Sequence, residues 1–206
     1  TNNLVINEIK NNSKIIDVIS EDVYFGNTIL NDLKEINNLD IQGIGKLINK
    51  IFHQNDYKIS FEPGRYLVAK SGVIITKILT SKENGGINFL ITDAGMQTLI
   101  RPALYGAIHR IEALNDLEKD KVNYTIAGPI CESSDIIAKD VLLPNQKINN
   151  YLLIHDAGAY GAVMASNYNS RGIPAEILVN QNKFFIIHQE EKITNIIKRD
   201  KIPDWL

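Results

Sequence analysis

A few compact clusters hold most of the side chains that could do chemistry. Phe61-Glu62-Pro63-Gly64-Arg65 sets a carboxylate, a rigid turn, a bare backbone and a guanidinium within a few residues, just after an apolar run. Arg65 offers a planar fork for a phosphate or carboxylate. Gly64 lets a ligand approach the backbone, and Glu62 suits a protonated ring nitrogen. Alone, the Glu62/Arg65 pair is also consistent with a surface ion pair at a turn. Asp93-Ala94-Gly95-Met96 leads into Leu99-Ile100-Arg101-Pro102-Ala103-Leu104-Tyr105-Gly106, where Arg101 and Tyr105 stand in an otherwise apolar loop and could anchor an anion.

The third cluster is Gly128-Pro129-Ile130-Cys131-Glu132-Ser133-Ser134-Asp135. A lone cysteine is commonly a small buried hydrophobe, but a turn between Pro129 and two acidic residues is a poor setting for one. Neighbouring carboxylates favour the protonated thiol, which suits a proton donor better than a thiolate nucleophile. The fourth, Asp156-Ala157-Gly158-Ala159-Tyr160-Gly161, runs into Met164-Ala165-Ser166-Asn167-Tyr168-Asn169-Ser170-Arg171. Small residues around Tyr160 either leave room for a ligand beside the phenol or serve close packing of a turn. No metal is expected.

These clusters need a scaffold, and the composition supports one. A chain of 206 residues, 44% hydrophobic and 22% charged, is long enough for one sizeable globular domain, or one domain with an appended fragment. A net charge of -2 gives no general electrostatic reason to seek nucleic acid or an anionic membrane. The single cysteine excludes an intrachain disulfide and fits a reducing compartment. No apolar run approaches the roughly 20 residues that span a bilayer, and no signal peptide opens the chain, so a cytoplasmic protein is the default expectation.

Residues 1–57 are rich in Asn, Ile and Lys. Leu4–Ile6 and Ile15–Ile19 read as strands by their β-branched content. Ile29–Ile36 and Ile44–Phe52 have helical spacing, with Leu47, Ile48, Ile51 and Phe52 on one stripe. Between these two helical stretches, Leu39-Asp40-Ile41-Gln42-Gly43-Ile44-Gly45 reads as a turn, or as glycines admitting a phosphate before a helix. From residue 57 strands dominate: Tyr57–Phe61, Val68–Thr80, a hairpin turn at Lys82–Gly86, then Ile87–Thr92, Ala107–Ala113, Val122–Ile126, Tyr151–Ile154, Ala175–Val179 and Lys183–His188. Ile193–Lys198 reads as a final helix. Many short strands between turns predict a closed or sandwich-like, mainly β domain, with a boundary near residue 65 that separates 1–65 from 66–206.

Taken in order, Glu62-Pro63-Gly64-Arg65, Asp93-Ala94-Gly95-Met96, Arg101-Pro102-Ala103-Leu104-Tyr105, Gly128-Pro129-Ile130-Cys131-Glu132-Ser133 and Met164-Ala165-Ser166-Asn167-Tyr168-Asn169-Ser170-Arg171 resemble the C-terminal half of the diaminopimelate decarboxylases. These are fold-type III pyridoxal-phosphate enzymes of lysine biosynthesis, and the resemblance covers roughly residues 56–190. It implies a β-barrel domain like that of alanine racemase, following the remnant of a cofactor-binding α/β (TIM) barrel. It further implies that Glu62 holds the pyridinium nitrogen protonated, the state in which the ring is an electron sink. Pro63, Gly64, Arg65 and Tyr160 would lie at the cofactor, with Arg65 and Tyr160 also reaching the substrate. Arg101 and Tyr105 would grip the substrate, Glu132 would bind its distal ammonium, and Cys131 would protonate the carbon that has lost carbon dioxide. In the family Cys131 and Glu132 act across a dimer interface, which implies a homodimer binding a small amino acid, without nucleic acid or membrane.

Diaminopimelate carries a second ammonium and a second carboxylate, so its site needs both a cation binder and an anion binder. Arg101 with Glu132 supplies that combination, whereas ornithine would leave the arginine without a partner. Against this, only 61 residues precede Glu62, and Lys10, Lys14, Lys34, Lys46, Lys50 and Lys58 lie in no segment of the Tyr-Ala-Val-Lys type that bears the Schiff-base lysine. The stacking histidine has no counterpart, and the triple-glycine phosphate loop is reduced to Leu39–Gly45. A whole (β/α)₈ barrel needs about 250 residues. Two expectations follow: a piece of an active decarboxylase, or a truncated, inactive relative that at most dimerises or binds a partner.

Overall fold

The computed structural model describes residues 15–18, 41–52, 58–61, 64–114, 120–198 and 200–205. The chain divides into two compact units, Thr1–Leu67 and Val68–Leu206.

In the first unit, β1 (Ile15–Val18) and β2 (Lys58–Phe61) pair in parallel, Ile16 opposite Ile59. Parallel neighbours need a long crossover, and α1 (Ile41–Phe52) lies between them in the chain. Ile44 and Ile48 of α1 are partly buried, while Gln42, Lys46, Asn49 and Lys50 are exposed, the one-sided pattern of a packed helix. The helix begins earlier than its apolar stripe suggested and takes in Gly43 and Gly45. The reading of those glycines as a turn or a phosphate loop is thereby overturned. The strand expected at Leu4–Ile6 and the helix expected at Ile29–Ile36 lie outside the described residues.

The segment expected to open as a strand at Val68 instead continues a short helix, α2 (Gly64–Val68), and a 3₁₀ turn at Ala69–Ser71. Ser71 Oγ donates to the Val68 carbonyl at 2.7 Å, a local bond that competes with strand pairing. The strand β3 starts at Ile74 and runs to Asn84. It turns through Gly85 and Gly86, both at positive φ (58° and 78°), into β4 (Ile87–Thr92). Two adjacent left-handed residues are what a two-residue turn between twisted strands demands, so the turn is shorter than Lys82–Gly86.

The second unit is mainly β. β5 (Ile111–Ala113), β6 (Lys121–Ala127), β7 (Ile136–Pro144) and β8 (Tyr151–Ile154) join β3 and β4 in one six-stranded sheet, ordered β5-β8-β3-β4-β6-β7. β4 and β6 pair in parallel and the other neighbours antiparallel. The sheet curls until its edge strands, β5 and β7, approach within 8 Å between Cα atoms, nearly closing a barrel. Alternate residues point inward, and Ile78, Leu90, Ile126, Leu152 and Ile154 are fully buried at its centre, with Leu99, Ile111, Tyr124, Ile137 and Leu143 around them. A separate hairpin, β9 (Glu176–Asn180) and β10 (Lys183–His188), and a helix, α4 (Ile193–Ile197), follow. No helix among the described residues is long and apolar enough to cross a membrane.

Two strand expectations need correction. β7 was not foreseen, because Lys139-Asp140 interrupts its apolar run. Asp140 sits at φ 56°, and the pairing with β6 skips between Tyr124 and Ile126, so a bulge absorbs the extra residue. The strand expected over Ala107–Ala113 is only Ile111–Ala113, because Gly106 (φ 64°) first caps a helix, α3 (Arg101–Tyr105).

Candidate functional site

The turn after β4 organises the site. Thr76 on β3 is buried, and its hydroxyl donates to Asp93 Oδ1 (2.6 Å) while accepting the Ala94 N–H (3.0 Å). The Lys77 N–H also donates to Asp93 Oδ1, at 2.9 Å. Gln97, buried, donates from Nε2 to the Asp93 carbonyl at 3.1 Å. Asp93-Ala94-Gly95-Met96 is thus a hydrogen-bonded platform beside the sheet.

From this platform the chain enters α3. The segment expected as an apolar loop is helical: Pro102 occupies the first turn, where no intrahelical N–H is needed, and the Gly106 N–H closes on the Pro102 carbonyl at 3.0 Å. One helical turn brings Arg101 and Tyr105 to the same side. The Arg101 guanidinium lies 5.5 Å from the centre of the Tyr105 ring and 5.1 Å from that of Tyr160. Both distances fall in the range of attraction between a cation and an aromatic face. The structure therefore brings Tyr160, distant in the sequence, to Arg101 and Tyr105.

Tyr160 is reached by a strained route. Its φ is 61°, unusual for a bulky residue. The preceding turn is pressed against the start of the unit: the Ala157 N–H donates to the Gly72 carbonyl and the Gly158 N–H to the Ala69 carbonyl, both at 3.0 Å. A Cβ on Gly158 would overlap the Val68 carbonyl, and Ala157, Ala159 and Gly161 are buried. Of the two readings of these small residues, close packing is the one seen. The Tyr160 ring, 40% exposed, is what the turn presents.

Cys131 and Glu132 form a second group on the loop between β6 and β7, both exposed. Glu132 accepts from the Ser134 N–H (3.5 Å) and the Ser133 hydroxyl (3.4 Å) at Oε1, and from the Tyr168 phenol (3.4 Å) at Oε2. The Ser134 backbone N–H foremost, then the Ser134 hydroxyl, and after them the Ser133 and Tyr168 hydroxyls hold its carboxyl below the usual glutamate range, with burial opposing them. It is an ionised carboxylate facing solvent, suited to a cation. Arg171 Nη2 donates to the Pro129 carbonyl at 3.5 Å, which brings Met164–Arg171 onto the same loop.

The second acidic neighbour of Cys131 is not where the sequence placed it. Asp135 is buried, and its carboxylate is occupied by the N–H groups of Met96 (2.6 Å) and Ile130 (2.8 Å). Sequence reasoning missed this residue and Tyr168 as parts of the site. The signal that could have found Asp135 was the glycine pair Gly95 and Gly128, since neither has room for a Cβ beside it; no local signal marks Tyr168. Gly64, exposed, and Arg65, half-buried, open α2 in the first unit; Glu62 and Pro63 lie outside the described residues. Among the described residues no cluster of His, Cys, Asp and Glu could hold a metal ion.

Comparison with known proteins matches this arrangement. Residues 18–158 match the family model "Pyridoxal-dependent decarboxylase, C-terminal sheet domain". A diaminopimelate decarboxylase of Archaeoglobus fulgidus is 42% identical over 154 residues, 74% of this chain and 36% of that protein. One from Escherichia coli K12 is 41% identical over 152 residues, 68% and 36% of the two chains. The crystal structure of diaminopimelate decarboxylase from Helicobacter pylori complexed with L-lysine superposes with a TM-score of 0.72 at 31% identity, covering 90% of this chain and 44% of that one. The chain thus spans well under half the length of these relatives. With five ordered motifs, a nearly closed β sheet and a family match over most of its length, this chain belongs to the pyridoxal-dependent decarboxylases and carries their C-terminal sheet domain.

Proposed function

We propose that this chain supplies the substrate-binding β domain of a pyridoxal-phosphate-dependent decarboxylase that converts meso-diaminopimelate to lysine. The observation that carries the reading is a pair of opposite receptors on one domain. Arg101 is held by the Tyr105 and Tyr160 rings as an anion binder, and Glu132 is kept ionised by three hydroxyl groups and one N–H as a cation binder. A diamino-diacid has one group for each, and a diamine precursor would leave Arg101 unused. In this reading residues 1–65 belong to the cofactor barrel and 66–206 to the β domain; the parallel pairing of β1 with β2 supports the first assignment.

Pyridoxal phosphate, when bound, supplies an electron sink for the bond to carbon dioxide. The donor chemistry of each unit suits its phosphate: in the first, Arg65 brings a guanidinium and Gly64 a backbone without a side chain, and in the second, Tyr160 brings a phenol O–H. Glu62-Pro63 completes the motif, with the Glu62 carboxylate for the ring nitrogen. Arg101 and Tyr105 orient the substrate by its distal carboxylate, and Glu132 holds the distal ammonium. Cys131, exposed at the loop tip, delivers the proton from Sγ to the carbon that carbon dioxide leaves. Within a homodimer, Cys131 and Glu132 serve the partner's site. A cytoplasmic location follows from the same reading.

One observation favours a second reading, in which this stretch is a dimerising or binding domain without turnover of its own. None of the lysines ahead of Glu62 lies in a Tyr-Ala-Val-Lys type segment. The two readings separate in one experiment on the 206-residue chain. Added pyridoxal phosphate should give a visible-edge absorbance band that borohydride fixes to a lysine, with carbon dioxide released from diaminopimelate. Lack of both would sink the catalytic reading for this chain and leave the binding one.

A further inference from the structure

We propose that Asp135 is the positioning residue for the Cys131–Glu132 loop, locking it to the turn after β4; the catalytic meaning of that lock rests on the functional reading above. Its side chain is 3% exposed. One carboxylate oxygen accepts the Met96 N–H at 2.6 Å and the other accepts the Ile130 N–H at 2.8 Å. Its own carbonyl accepts the Gly128 N–H at 3.0 Å, and its N–H donates to the Glu132 carbonyl at 3.1 Å. A Cβ on Gly95 or Gly128 would overlap the same carboxylate, so both strand ends leave their side-chain space to it.

The contacts form a closed circuit. From Glu132 the path runs to Asp135 and on to Met96. The next residue, Gln97, accepts the Ser166 N–H on its carbonyl at 2.9 Å. Two residues beyond Ser166, the Tyr168 phenol donates to Glu132 Oε2. One buried carboxylate thereby sets the spacing between Glu132 and the hydroxyl that orients it. Only a carboxylate meets this demand, because both of its oxygens must accept. An asparagine would turn its NH₂ toward one of the two N–H donors and leave that amide without an acceptor.

Because the chain has one cysteine, a nitroxide on Cys131 reports on this loop alone. In the full chain its spectrum should be dominated by a restricted component. Asp135→Asn should shift it to fast motion in buffer, well below the urea transition, and raise the Glu132 carboxyl titration midpoint toward the ordinary value. A variant that loses stability in urea while both native-state signals stay unchanged would make Asp135 a stability residue only and overturn the proposal. Should the variant not fold, hydrogen exchange on the natural chain decides. Met96 and Ile130 amides held by one carboxylate should be protected alike, within about threefold. Ile130 exchanging at a free-loop rate beside a protected Met96 would overturn it too. None of these readouts depends on turnover, so an inactive chain with a locked loop removes the functional reading and leaves the lock.

Discussion

Thr76 offers the sharpest test of how the site is held. Thr76→Val keeps the shape and removes only the hydroxyl from a side chain that is 1% exposed. The Ala94 N–H, buried, then has no acceptor, which costs about 1–3 kcal/mol. The bond to Asp93 is also lost, but Asp93 is exposed and keeps the Lys77 N–H, so water replaces most of that contribution. A buried methyl returns about 0.8 kcal/mol. The net loss is about 1 kcal/mol. Thr76→Ser keeps both hydrogen bonds and loses the methyl, a loss of about 1 kcal/mol. Urea unfolding followed by circular dichroism should therefore place both variants about 1 kcal/mol below the natural chain, with unchanged slopes. In a domain of this size the valine variant should melt roughly 3–5 °C lower. A valine variant as stable as the natural chain would refute the claim that the Thr76–Asp93–Ala94 bonds hold the turn.

Other outcomes follow from the same geometry. In an assembled decarboxylase, Arg101→Ala should raise KM for diaminopimelate by about tenfold or more with a smaller change in kcat, and an equal KM would discredit the carboxylate clamp. Cys131→Ala should instead lower kcat with little change in KM, since in the proposed role the thiol acts after carbon dioxide has left; an unchanged kcat removes it from proton delivery. Carboxyl NMR should place the Glu132 midpoint below the usual glutamate value, and Ser134→Ala should raise it more than Tyr168→Phe, the order of their contributions. The sign for stability is definite: a depressed folded value means a contribution present above the unfolded-state value and lost as pH falls through the folded one.

Much of the second unit was legible because its signals are local. β8 and β10 fall where their short apolar runs between turn residues placed them, and Gly85-Gly86 announced its turn, since only residues tolerant of positive φ fit there. The failures were places where a distant contact overrode a local preference. The apolar residues after Val68 look like a strand, yet Val68 ends a helix and its carbonyl lies against Gly158. The charged Lys139-Asp140 looked like a break, yet pairing to β6 carries the strand across it as a bulge. Gly43 and Gly45 looked like a turn and lie in a helix.

The order of the five motifs, the chemistry each side chain can perform and the mainly β character are properties of the chain read residue by residue, so the sequence by itself determined them and the family they point to. Which groups meet was decided only by the tertiary structure. Asp135 reaches Met96 across 39 positions, and Tyr168 reaches Glu132 across 36. Contacts at such separation depend on strand order, and the order β4-β6-β7 is what lays the two loops side by side. A carboxylate near a cysteine in the chain looks like that cysteine's neighbour. Once the sheet curls, two N–H donors in a buried corner claim it, because an ionised group there without partners would cost several kcal/mol.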